Sequence, residues 1–403
     1  MASVGPLRLL LAEADQLLAA LVAHGRLSAL ALLAEPSLSS KRVRAEASAL
    51  WLERAFGLQD FLSRHFQVRP KPVCWPAALR PDGAGLLVGE AVDLEATDAL
   101  LGRIAQDAAG LAASAQALTE GVELLDPARL HLATLRQHLP NLSSPPAARS
   151  WTAPAKAAIP TEPVQALHGP LEVGLDPIFA PTYSVLDREA VAQAGSHRAP
   201  LFWNLALRES AAAELCALSI VEHDGLPLAF HRDFAKQAWD ESRHARLFLA
   251  EALDLLPELL SQVPEDHPMA CAVRRYQACP EVGLPVPLER GLYDTIWSCS
   301  LEERLILLHI DTETPGVAGF QRELRGPFCK SHPAVAGRLE IATRDEASHA
   351  RLGKAWLTWL VPKAAERTAR IEQALLQRGV LILTSVARHE PVPLRALIEQ
   401  RTG

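Results

Sequence analysis

The stretch "DESRHARL" occupies residues 240–247, and "DEASHARL" occupies residues 345–352. The two octapeptides agree at six of eight positions and begin 105 residues apart. Each contains Glu-x-x-His. On a helix, positions i and i+3 share a face about one turn apart, so Glu241 with His244, and Glu346 with His349, can each present an oxygen and a nitrogen to a metal ion. Among the 14 histidines of the chain these are the two instances of that spacing. One copy reads equally well as a solvated helix face, but such a face has no reason to recur at matched places.

Working outward, the first copy lies in a helix expected from about Pro227 to Leu256. It follows, through "DGLP" (224–227), a helix expected from about Ser196 to His223 or Asp224, so the two run antiparallel. A third helix is expected over roughly 287–325 with a kink at "TPG" (314–316). A fourth is expected to be capped by Ser331, to hold Pro333 in its first turn, and to end before Pro362. Two hairpins of long helices make a four-helix bundle. Upstream, helical patterns cover about 7–34, 40–66 and 92–139, and "PNLSSPPAARSWTAPAKAAIPTEP" (140–163) places prolines where helices cannot run. The expected organisation is an N-terminal helical region (1–140), a proline-rich connector (141–195), the bundle (196–362) and a C-terminal extension (363–403). The extension reads as a charged segment, a short apolar run (380–386) and a last small helix.

Composition agrees with an all-α chain: 49% of 403 residues are hydrophobic, yet only 5% are aromatic, and Ala and Leu dominate. A net charge of -7 argues against a partner bound through general phosphate attraction, so no nucleic acid is expected. The six cysteines show no Cys-x-x-Cys spacing and read as reduced, which places the chain in the cytoplasm. The Leu-rich opening is interrupted by Glu13, Asp15, His24 and Arg26, as in an amphipathic helix and unlike a membrane span.

The paired motif resembles the ferritin-like carboxylate-bridged di-iron superfamily, in which two helices give a Glu-x-x-His each and two others give one Glu each. Residues 240–244 are also similar to the Asp-Glu-x-Arg-His form of bacterial di-iron monooxygenases, and the resemblance covers about 196–362. It implies two further carboxylates. In the first hairpin Glu209 and Glu214 are available. With the turn near 225, Glu209 lies as deep as Glu241, whereas Glu214 is displaced by about 7 Å at about 1.5 Å per residue. In the second, Glu313 precedes Glu346 by 33 residues, close to the 32 between Glu209 and Glu241, while Glu302 and Glu303 lie 44 and 43 away.

The implied ligands are Glu209, Glu241, His244, Glu313, Glu346 and His349, with Glu241 and Glu346 bridging; Glu214, Glu302 and Glu303 stay open as alternatives. Asp240 and Asp345 resemble aspartates that orient ligand histidines, and His309 is expected to hydrogen-bond a ligand or to be a further one. The resemblance implies two iron ions, with manganese or mixed iron and manganese open, and dioxygen as co-substrate. The expected function is an oxygen-activating di-iron oxidoreductase (a hydroxylase, N-oxygenase or related oxidase) on a small organic substrate, with an iron-handling ferroxidase as the alternative. The N-terminal mass favours the first, as a substrate cover. A radical-generating reductase subunit would need a nearby tyrosine, and Tyr183, Tyr276 and Tyr293 are all that exist. An electron-donor protein is an expected partner, no membrane is, and a homodimer is open.

Overall fold

A computed structural model describes residues 4–35, 38–75, 87–88, 91–120, 198–260, 265, 296 and 299–389. The expected connector, the three tyrosines, the helical stretch expected over 287–295 and the last small helix beyond 389 lie outside the described residues. The chain is predominantly helical. Two compact units are present: Met1–Glu35, Arg42–Ala166 and Cys216–Trp239 form the first, and Pro36–Lys41, Leu167–Leu215 and Asp240–Gly403 the second.

The first unit holds α1 (Val4–Ala34), most of α2 (Leu38–Phe66), a two-stranded antiparallel ribbon of β1 (Leu87–Val88) and β2 (Ala91–Val92), and α3 (Leu94–Glu120). Sequence reading did not anticipate the ribbon. Helix α1 is long and apolar enough to cross a membrane, but 78% of its apolar window is buried inside the protein, as in a core helix. Gly25 lets α1 meet α2 closely, since a Cβ there would lie 2.5 Å from Leu52 Cγ.

The "DGLP" turn belongs to this unit. Gly225 takes φ 83° in the link that follows the helix, a conformation that is cheap for a residue without a Cβ. Leu226 then pairs with Val73, whose N–H donates to the Leu226 carbonyl at 2.9 Å. Arg26 is fully buried, and its guanidinium donates to Asp224 at 2.7 Å and to the Val221 and His223 carbonyls at 2.9 and 3.2 Å. Those carbonyls close the helix C-terminus, where backbone acceptors lack partners and a cation is favoured. The Trp75 backbone and indole N–H groups donate to Asp224 and the Val221 carbonyl, each at 2.9 Å.

Helices α4 (Arg198–Glu222) and α5 (Leu228–Leu260) are the expected first hairpin, and they run from one unit into the other. The rest of the second unit comprises α6 (Leu301–Leu305), a π-helical segment (Ile306–Glu313), α7 (Thr314–Arg325), α8 (Pro327–Ser331), α9 (Pro333–Leu360) and α10 (Ala364–His389). The third long helix starts at Leu301, where Ser300 and Glu303 form a capping box. The helix is irregular before Pro315, where a kink was expected. The proline's missing N–H and bulky ring disfavour the ordinary bond to Asp311, and the preceding turns widen to a π helix, with the Thr314 N–H bonded to the His309 carbonyl. Ser331 ends α8 and caps nothing: its hydroxyl donates back to the Phe328 carbonyl at 3.0 Å, and His332 is the N-cap of α9. Among the described residues, the C-terminal extension is one continuous helix, Ala364–His389, through the apolar run. Phe202, Phe248, Phe328, Leu249 and Leu339 form the apolar core of this unit.

Candidate metal centre

All the side chains of the centre come from the second unit: Glu209 from α4, Glu241 and His244 from α5, Glu313 from the end of the π segment, and Glu346 and His349 from α9. They assemble into two groups, Glu209 with Glu241, His244 and Glu346, and Glu241 with Glu313, Glu346 and His349. Within each group, one donor atom per residue lies within 4.8 Å of the others, and every member is buried. Glu241 and Glu346 belong to both groups. These buried carboxylates and imidazoles could hold a metal ion.

The histidines face the cluster through Nδ1. His244 Nδ1 lies 3.2 Å from both Glu241 and Glu346 and 3.7 Å from Glu209. His349 Nδ1 lies 3.0 Å from Glu241 and 3.6 Å from Glu313. Their outer nitrogens are held crosswise: His244 Nε2 lies 3.1 Å from Asp345, and His349 Nε2 lies 3.2 Å from Asp240. Each aspartate therefore serves the histidine of the other octapeptide, which sequence alone does not reveal. A carboxylate on the outer nitrogen fixes the tautomer and leaves Nδ1 as the donor a metal needs. Glu346 Oε1 and His349 Nδ1 are buried and make close contacts of ion-pair type, at 3.2 Å to His244 and 3.0 Å to Glu241, without a hydrogen bond of good geometry, an arrangement that suits a cation.

The other acidic candidates are engaged elsewhere. Glu214 forms a buried ion pair with Lys41. Glu302 pairs with Arg370 at 3.2 Å, and Glu303 completes the capping box. His309 is in neither metal-binding group; its Nδ1–H donates to the Leu305 carbonyl at 3.3 Å. Burial and the neighbouring His349 lower its pKa to about 4, so it is neutral.

Burial raises Glu209 and Glu313 well above the usual carboxylate range, with Glu346 and Glu241 adding repulsion. Burial also opposes ionisation of Glu241, but the two histidines outweigh it and hold this carboxyl well below that range. Glu346, opposed by burial and by Glu241, is still drawn down to about 2 by hydrogen bonds from Glu313 and the histidines. Burial would lower His244 and His349, yet the carboxylates around them raise both.

Without metal, burial thus favours the neutral carboxyl at Glu209 and Glu313, and the surrounding carboxylates favour the protonated ring at His244 and His349. Two divalent ions with four carboxylates and two neutral imidazoles would be neutral. Loading ferrous ions should therefore release protons from the cluster, because the ligands must be deprotonated, and affinity should fall as pH falls. An indicator dye in weak buffer measures this, and two ions bound without proton release would contradict the donor set.

Comparison with protein-family models, curated proteins and solved structures found no match to the chain. The functional reading rests on the geometry.

Proposed function

We propose that the chain is an oxygen-activating non-haem di-iron oxidoreductase of ferritin-like type, acting on a small organic substrate. The observation that carries this reading is the sharing of Glu241 and Glu346 by two four-residue donor groups, which suits a carboxylate-bridged pair of ions. Oxygen and imidazole donors without thiolate favour iron or manganese. A bound iron pair would supply the electrons that reduce dioxygen.

The chain's own part is to position, to exclude water and to leave an approach. Glu209 and Glu313 each belong to one group and serve as terminal ligands. Asp240 and Asp345 keep the imidazoles turned inward. Behind His244, the Phe248 ring centroid at 6.4 Å joins the apolar core and keeps that side dry. The Glu209 side chain is 11% exposed while Glu241 and His244 are at 0%, so the Glu209 ligand is the most open of these three.

Anaerobic ferrous titration of the metal-free protein, followed by oxygen with the visible spectrum recorded, tests the reading. Two irons per chain and rapid oxygen uptake with a transient absorbance are expected. Organic compounds that hasten the decay of that absorbance would identify the substrate class, and uptake indifferent to every organic compound would indicate a ferroxidase. A folded protein that binds fewer than two ions would end the di-iron assignment.

A further inference from the structure

We infer that Arg243 is a positioning residue that couples the two metal subsites, so that both ions load in one cooperative step; this rests on the di-metal reading above. The octapeptides differ at two positions, and at one of them the first has Arg243 where the second has Ser348. The single guanidinium serves both halves. Its Nη2 donates to Asp240 at 3.1 Å and to Asp345 at 2.5 Å. Each aspartate holds the histidine of the opposite motif, so one continuous chain of contacts runs His349, Asp240, Arg243, Asp345, His244.

Asp240 and Asp345 both lie within reach of one nitrogen, so the two carboxylates share a single guanidinium donor. An ion taken up in either group fixes its histidine, and with it the aspartate behind that ring. Arg243 transmits that constraint to the second aspartate, and the second histidine is oriented before its ion arrives. A planar donor shared between two carboxylates does this in a way that a point charge does not. Nothing restricts the role to α5. Ser348 occupies the matching place in the second octapeptide and is exposed, so a longer side chain there has room to reach Asp345 on its own helix, as Arg243 reaches Asp240.

The test is anaerobic calorimetric titration with ferrous ions of the wild type, Arg243→Ser, and the double variant Arg243→Ser/Ser348→Arg, with folding followed by circular dichroism. The wild type should take two ions in a single cooperative step. Arg243→Ser should bind the second ion about ten- to a hundredfold more weakly, in a separate step. Moving the arginine to position 348 should restore the single step, which a merely structural loss at position 243 would not allow. A single-step isotherm in Arg243→Ser, or a double variant as defective as the single one, would overturn the inference. Should Arg243→Ser fail to fold, the double variant decides alone: cooperative loading supports the coupling, and separate steps or an unfolded chain reject it. A wild type that binds fewer than two ions would instead refute the di-metal reading beneath it.

Discussion

Replacing Glu241 by alanine is expected to abolish binding of both metal ions, whereas replacing Glu209 should remove only one. Glu241 belongs to both donor groups, so its loss takes a ligand from each. It is also the nearest carboxylate to His349 Nδ1, at 3.0 Å, and one of two at 3.2 Å from His244 Nδ1. The affinity loss should exceed the roughly 10- to 100-fold that removal of an outer hydrogen-bond partner costs. Glu209 is confined to the group of His244, so Glu209→Ala should keep the ion of the His349 group. Glu214→Ala separates metal loss from general damage. It breaks the buried pair with Lys41 and should cost stability, up to about 3–5 kcal/mol, while both ions remain. Metal analysis of the three purified variants, alongside their thermal melts, makes the comparison; retention of two ions by Glu241→Ala would sink the bridging role.

Gly353→Ala should destabilise the second unit and weaken the ion held by Glu313 and His349 before the other. Gly353 lies four residues beyond His349 on α9, and a Cβ there would fall 2.1 Å from His309 Cγ and 2.2 Å from its Cβ. No flexible end is available to yield. His309 is fully buried, and its ring is tied to the Leu305 carbonyl. Its backbone belongs to the π segment that ends in Glu313, so displacing His309 displaces that carboxylate. Overpacking of this kind costs about 1–3 kcal/mol, and more where backbone must move. Adding His309→Gly, which removes both clashing atoms, should recover part of the loss, since the two sites touch and their effects are not additive. Denaturant melts of the singles and the double measure the coupling. A Gly353→Ala variant as stable as wild type would show that α9 can shift without consequence.

Much of the arrangement was legible in the sequence where geometry leaves little freedom. Three residues along a helix bring Glu241 beside His244, and a short link lets the depth of Glu209 in its helix be counted from the turn, although the link is five residues (223–227) where two were expected. The meeting of Glu313 with Glu346 was legible for the same reason, from matched spacings. What escaped depended on the rotation of helices about their axes. Nothing in the order of residues says that Asp345 faces His244 rather than His349, or that Arg243 reaches both aspartates. The start of α6 could have been read from Ser300-x-x-Glu303, whereas the π segment beside Pro315 is one of several ways a helix can accommodate a proline. The grouping of residues 216–239 with the N-terminal helices was hidden as well, because Arg26 and Asp224 carry no local pattern that pairs them.

The Arg26–Asp224 contact also sets a timetable. Arg26 leaves the ribosome 198 residues ahead of Asp224, and Trp75 leaves it 149 ahead. At synthesis rates of about 5–20 residues per second, arginine waits roughly 10 to 40 s for the turn that will neutralise it. The first hairpin is therefore received by a surface made earlier, and a gene cut to begin at the hairpin would deliver Asp224 and the closing carbonyls of α4 with no arginine or tryptophan to receive them.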